Sequence, residues 1–207
     1  MKSSQAALDL IWSEETGGDA YYNHTNECRA DWPGGASGVT IGGFYDCGYV
    51  THDELRRDWS DKLSPAMIDA LEGVVGIHGF PARSHALELA SIVNVPEDTA
   101  RFVFVNREIP KWEAVVGKLP NADQLSPDSF GALVSLTLNR GDSFSAPGQR
   151  YREMRLIKQD MQSNQMTRIP AWIRSMKRLW KEHGDLWNRR EHEAELFGKG
   201  LAPKEAA

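Results

Sequence analysis

Residues 32–49 read WPGGASGVTIGGFYDCGY. Six glycines and a proline in eighteen residues exclude a helix, because these are the two poorest helix formers. The stretch is therefore loop and hairpin. Val39, Thr40 and Ile41 read as a short strand, and Gly42-Gly43 and Gly48 permit turns that a β-carbon would forbid. Such a ribbon holds a hydroxyl, Thr40, and a carboxylate, Asp46, in fixed positions.

Upstream, residues 4–13 place Ala7, Leu8, Leu10, Ile11 and Trp12 at helical spacing, predicting a short amphipathic helix that ends on Glu14-Glu15 before the breaker Thr16-Gly17-Gly18. A carboxylate there meets the negative pole of the backbone dipole, which favours the protonated form that a general acid needs. An acid facing positioned polar groups, with no metal motif, is the arrangement that sugar hydrolysis requires. Each feature also has a plain structural reading. The glutamates can be a solvated helix end, Tyr45-Asp46 can close a turn, Thr40 is an ordinary strand residue, and Asn139 can cap a helix.

Downstream the pattern turns helical. Thr51-His52-Asp53-Glu54 has the capping-box form and opens a helix through Trp59. Ser64-Pro65 starts another with Met67, Ile68 and Leu71 on one face. Further helices are predicted over 82–92, from Pro96-Glu97-Asp98 onward, and over 109–116. Ser126-Pro127-Asp128 caps a strongly apolar helix (Phe130, Leu133, Val134, Thr137, Leu138), the expected core helix, which stops at Asn139-Arg140-Gly141. Two basic helices, roughly 147–163 and 168–182, and a last one over 185–197 complete the chain. The fold class is α+β, mostly α, with one small β lobe.

The 207 residues suit one domain, and no apolar run approaches a bilayer-spanning length. Residues 1–15 lack the apolar core of a secretory signal. Net charge is −5, but residues 150–190 hold 11 Lys/Arg against 4 Asp/Glu. A basic segment of that strength suits an anionic partner or a solvated helix face. Cys28 and Cys47 flank the glycine-rich stretch, and either a disulfide or two thiols fits them.

Four motifs in order carry a family resemblance: Glu15, the Ser37–Gly42 run SGVTIG, FGALVSLTLNRG at 130–141 and RREHEAELF at 189–197. Together they resemble the phage-type lysozymes, glycoside hydrolase family 24 and its relatives, over essentially the whole chain. The likeness is nearer to the pesticin-like bacterial branch, whose TIGxGYD pattern puts an acid six residues after the threonine, here Asp46. Two departures stand out. Gly43-Phe44 replaces x-Gly, and the Asp that common phage lysozymes carry nine residues after the glutamate falls on His24 (from Glu15) or Asn23 (from Glu14).

The resemblance implies a lysozyme-like two-lobe fold, with a β lobe over about 16–50 and a helical lobe over about 51–198 joined by the N-terminal helix 4–14. It implies cleavage of the β-1,4 bond between N-acetylmuramic acid and N-acetylglucosamine without a cofactor or metal. Glu15 is the expected general acid, with Glu14 in reserve. Asp46 is the second carboxylate, as base for water or stabiliser of the transition state, and Thr40 positions the water. Tyr45 and Asn139 are the expected substrate contacts. Inversion would fit a carboxyl separation beyond about 6.5 Å; hydrolysis and transglycosylation both stay open. The implied partner is the peptidoglycan glycan strand, met by a monomer without stable membrane insertion in the periplasm or wall of a target bacterium. Delivery by a secretion apparatus, within a larger polypeptide or by a holin-type route fits the absent signal, and an effector would have a cognate immunity protein.

Three rivals belong to other classes. His24, Cys28, Cys47 and His52 are ligand types that zinc prefers, though neither half has a common finger spacing. A non-catalytic wall-binding module would share the fold without needing the acid. Nucleic-acid binding would need stacking aromatics, whereas Trp172, Trp180 and Trp187 are spaced like buried helix faces.

Overall fold

The computed structural model describes residues 1–18, 22 and 28–202. The chain is mostly helical with a small two-stranded antiparallel sheet. In order come α1 (Gln5–Thr16), β1 (Thr40–Ile41), β2 (Tyr45–Asp46), a 3-10 turn (Cys47–Tyr49), α2 (His52–Trp59), α3 (Pro65–Glu72), α4 (Ala82–Leu89) and α5 (Glu97–Val103). A π-helical turn (Phe104–Glu108) leads into α6 (Ile109–Val116). Then follow α7 (Pro127–Arg140), α8 (Arg152–Gln162), α9 (Ile169–Ser175) and α10 (Asp185–Lys199). Two compact units divide the chain: Trp12–Glu108, and Met1–Ile11 with Ile109–Ala207. The helices α2 to α5 thus group with the ribbon.

Most helix starts follow their sequence signals. Thr51 and Glu54 form the reciprocal capping box, and the hydroxyls of Ser64 and Ser126 accept the amides of Met67 and Ser129. The ends differ more. The start expected near 147 is delayed to Arg152 behind a 3-10 turn (Gln149–Tyr151), because Gly148 has a φ of +91° that no helix accepts. The 168–182 helix breaks into α9 and a 3-10 turn (Met176–Leu179).

In the unit Trp12–Glu108, Thr40 pairs with Asp46 and Ile41 with Tyr45. The strand expected over Val39–Ile41 loses Val39, whose carbonyl accepts the Cys47 amide of the 3-10 turn at 2.8 Å, and after Ile41 the chain turns back at Gly42 and Gly43 with φ of +63° and +75°. On its other side Thr40 exchanges backbone hydrogen bonds with Asp31, at 2.8 and 3.0 Å. An aromatic cluster of Trp12, Tyr22, Phe44, Tyr45, Trp59 and Phe104 fills the core beneath the ribbon.

The second unit is built on α7, whose residues Ser129–Thr137 are all buried. It packs against α6 and α10. Gly131 allows the first turns of α1 to approach so closely that a β-carbon on it would stand 2.2 Å from that of Ala7. On α10, Glu193 is the buried hub of an ion network, accepting from Ser135 Oγ (2.7 Å), Arg190 Nη2 (2.8 Å) and Arg189 Nε (3.2 Å). Much of the basic charge on 150–190 is engaged internally. Arg178 forks onto the buried Glu153, Arg168 meets Asp160, and Arg174 and Lys177 converge on Glu191.

Candidate functional site

Glu14 and Glu15 lie in the last turn of α1, both half-buried. The helix runs one residue beyond the expected Glu15. Thr16 is buried and returns its hydroxyl to the Trp12 carbonyl at 2.8 Å, and Gly17 and Gly18 then leave the helix with positive φ. Trp12 fixes this end in place. Its ring meets Phe104 at 5.5 Å, Tyr22 at 5.7 Å and, at 6.4 Å, Phe44 in the turn of the ribbon, while the Arg101 guanidinium lies 5.7 Å over it. Through Trp12, the turn of α1 before its last contacts the bend that links the two strands carrying Thr40 and Asp46. Sequence reasoning missed this anchor, because a tryptophan at an apolar helical position looks like any core residue.

Thr40 and Asp46 are directly cross-strand, so their side chains share one face of the ribbon. The Thr40 side chain is mostly buried, and among the described residues its hydroxyl makes only a long contact of 3.5 Å, to the Gly38 carbonyl. Asp46 is more firmly engaged. Its carboxylate accepts the Gly38 amide through both oxygens, at 3.0 and 3.1 Å, and the Gly48 amide at 2.9 Å, capping the Cys47–Tyr49 turn. The glycines are required here. A β-carbon on Gly38 would stand 2.5 Å from Asp46 Oδ1 and from the Gly48 backbone, and one on Gly48 would stand 2.8 Å from the Ile77 carbonyl.

Tyr45, an expected substrate contact, is only 3 % exposed and donates its hydroxyl to the buried Asp58 at 3.1 Å. Burial, and then the Asp58 carboxylate, push its phenol well above the ordinary tyrosine value. In this structure it packs the ribbon onto α2, and its hydroxyl is directed inward. Asn139 is half-buried near the end of α7, in the other unit. Cys28 and Cys47 are both free thiols. Of the four zinc-type ligands His24 lies outside the described residues, and among the described residues no group of three or more His, Cys, Asp or Glu could hold a metal.

No protein family's sequence profile matches the chain, and no curated protein is similar to it in sequence. Among the described residues no helix is long and apolar enough to cross a membrane.

Proposed function

We propose that the chain is a muramidase of lysozyme-like fold, cleaving the β-1,4 bond between N-acetylmuramic acid and N-acetylglucosamine. The observation that carries this reading is the edge contact of Trp12, one turn before the end of α1, with Phe44 in the turn of the ribbon whose strands pair Thr40 with Asp46. Glu15, or Glu14 in its place, protonates the leaving glycosidic oxygen. Thr40, whose hydroxyl has only a long contact among the described residues, holds the incoming water. Asp46, its carboxylate held in place by the Gly38 and Gly48 amides, acts as base for water or as stabiliser of the oxocarbenium-like transition state. The enzyme acts on the wall of a target bacterium, as an antibacterial effector with a cognate immunity protein or as a lysis enzyme.

The test is turbidity loss from purified sacculi, with released muropeptides weighed for reducing against anhydro ends. Glu15→Gln should lower the rate by about 10²–10⁴-fold with the fold intact. Full activity in both the Glu14→Gln and Glu15→Gln variants would overturn the assignment. A non-catalytic wall-binding module is favoured by one observation, the engagement of both Asp46 and Tyr45 in internal contacts. Sacculus binding by the wild type without any turbidity loss would select that reading.

A further inference from the structure

Arg140 closes α7 with its side chain only 8 % exposed. Its Nη2 donates to the Arg150 carbonyl at 2.6 Å, and the rings of Tyr151 and Trp180 lie over the guanidinium at 5.3 and 5.4 Å. Among the described residues no carboxylate pairs with it, and its Nε–H, shielded from solvent, has no acceptor. Three residues on, the buried Ser143 hydroxyl is likewise without a partner. Burial, and then the neighbouring Arg150 charge, pull the guanidinium below its ordinary value. A buried cation that lacks an anion is costly, and the other buried charges of this unit show the usual remedy: Glu153 has Arg178, Asp160 has Arg168 and Glu193 has two arginines.

We infer that the turn Arg140–Ser143, walled by Tyr151 and Trp180, is a binding site for the carboxylate group of a ligand. Rings over the guanidinium leave its edge as the approach, and a planar two-oxygen anion meets that edge in the plane of the N–H donors. Phosphate is tetrahedral and more highly charged, and one guanidinium edge with one serine hydroxyl would leave most of its oxygens unmet. Gly141 and Gly148 bracket the segment that follows Arg140, with φ of +70° and +91°. The site stands independently of the muramidase reading.

The experiment uses the full chain labelled with ¹⁵N. The arginine Nε–Hε cross-peaks are followed while sodium acetate, and separately sodium phosphate, replaces sodium chloride at constant ionic strength. The Arg140 cross-peak is the one that Arg140→Lys removes. It should shift saturably with acetate, and Ser143→Ala should weaken acetate binding about tenfold, the loss of one hydrogen bond to a charged group. Acetate should also raise the Tm of the wild type but not of Arg140→Met. A shift that is linear and equal at all arginines, saturation by phosphate without saturation by acetate, or an undiminished Tm rise in Arg140→Met would each overturn the site. Should Arg140→Met fail to fold, the wild-type titration decides alone.

Discussion

The carboxylate of Asp46 and the amide of Gly38 are joined in a space that admits no side chain at position 38. The contact ties the segment just before β1 to the end of β2, beside Thr40. It makes Asp46 a structural group before it is anything else. Gly38→Ala should destabilise the protein by on the order of 1–3 kcal/mol, because the atoms in the way include the backbone of Gly48 and cannot rotate aside. Asp46→Ala should lose about 1–3 kcal/mol by leaving two amides unmet. Urea midpoints measure both. A stable Asp46→Ala variant with no lysis would show that the carboxylate acts chiefly on substrate.

Burial, helped by the nearby Asp46, pushes the Cys47 thiol up to about 12. Almost no thiolate exists there at pH 8, and thiolate is the reactive form. Cys28 is half-exposed. Brief alkylation with iodoacetamide at pH 8 should therefore label Cys28 and spare Cys47, with both labelled in denaturant, as read by peptide mass spectrometry. Equal labelling of the two in the native protein would contradict the buried position of Cys47.

Glu153 is desolvated, which by itself would raise its value. The forked hydrogen bonds from Arg178 outweigh that, so the folded value lies below the ordinary 4.5. A depressed carboxylate means that the unfolded chain binds the proton more readily. Its contribution is complete above the ordinary value and disappears as the pH falls through the folded one. Stability of the wild type should thus fall on acidification below about pH 5 more steeply than that of Glu153→Gln, with urea midpoints between pH 3 and pH 7 as the measurement. Parallel curves would assign the acid sensitivity to other carboxylates.

Much of the fold was legible because local chemistry decided it. The Ser64, Ser126 and Thr51 caps and the apolar period of α7 each specify their element without distant help. Element ends were less legible. The break between α9 and the Met176–Leu179 turn has no glycine or proline to announce it. Within the candidate site, the ribbon that holds Thr40 and Asp46 was legible from its glycines, and the register that pairs the two was not stated by them. Nor was the role of Tyr45 legible, because its partner Asp58 lies thirteen residues away on α2, and no short-range pattern links a strand tyrosine to a helical aspartate. Arg140 was equally hidden, since the aromatic rings over it come from two separate later turns.

The approach of α1 to α7 through Ala7 and Gly131 gives a coupled pair. Gly131→Ala places two β-carbons 2.2 Å apart, an overpacking that should cost about 1–3 kcal/mol despite the better helix propensity of alanine. Ala7→Gly alone should cost about 1 kcal/mol. If the clash is the cause, the double variant should be more stable than the two single effects add up to, and a double-mutant cycle in urea reads the difference. Strict additivity would place the strain elsewhere, for example at the Ser3 side chain, which also lies within 3.5 Å of the added carbon.

Thr40 offers the sharpest separation of fold from chemistry. Among the described residues its hydroxyl holds nothing firmly, since the 3.5 Å contact to the Gly38 carbonyl is at the limit of a hydrogen bond. Its β-branched carbon frame, by contrast, suits the short strand and is mostly buried. Thr40→Val keeps that frame and removes only the hydroxyl, so stability should change by less than about 1 kcal/mol. If the hydroxyl holds the attacking water, turnover of purified sacculi should nevertheless fall by about tenfold or more, and Thr40→Ser should recover most of it. Unchanged turnover in Thr40→Val would remove the water-positioning role and leave Thr40 as an ordinary strand residue.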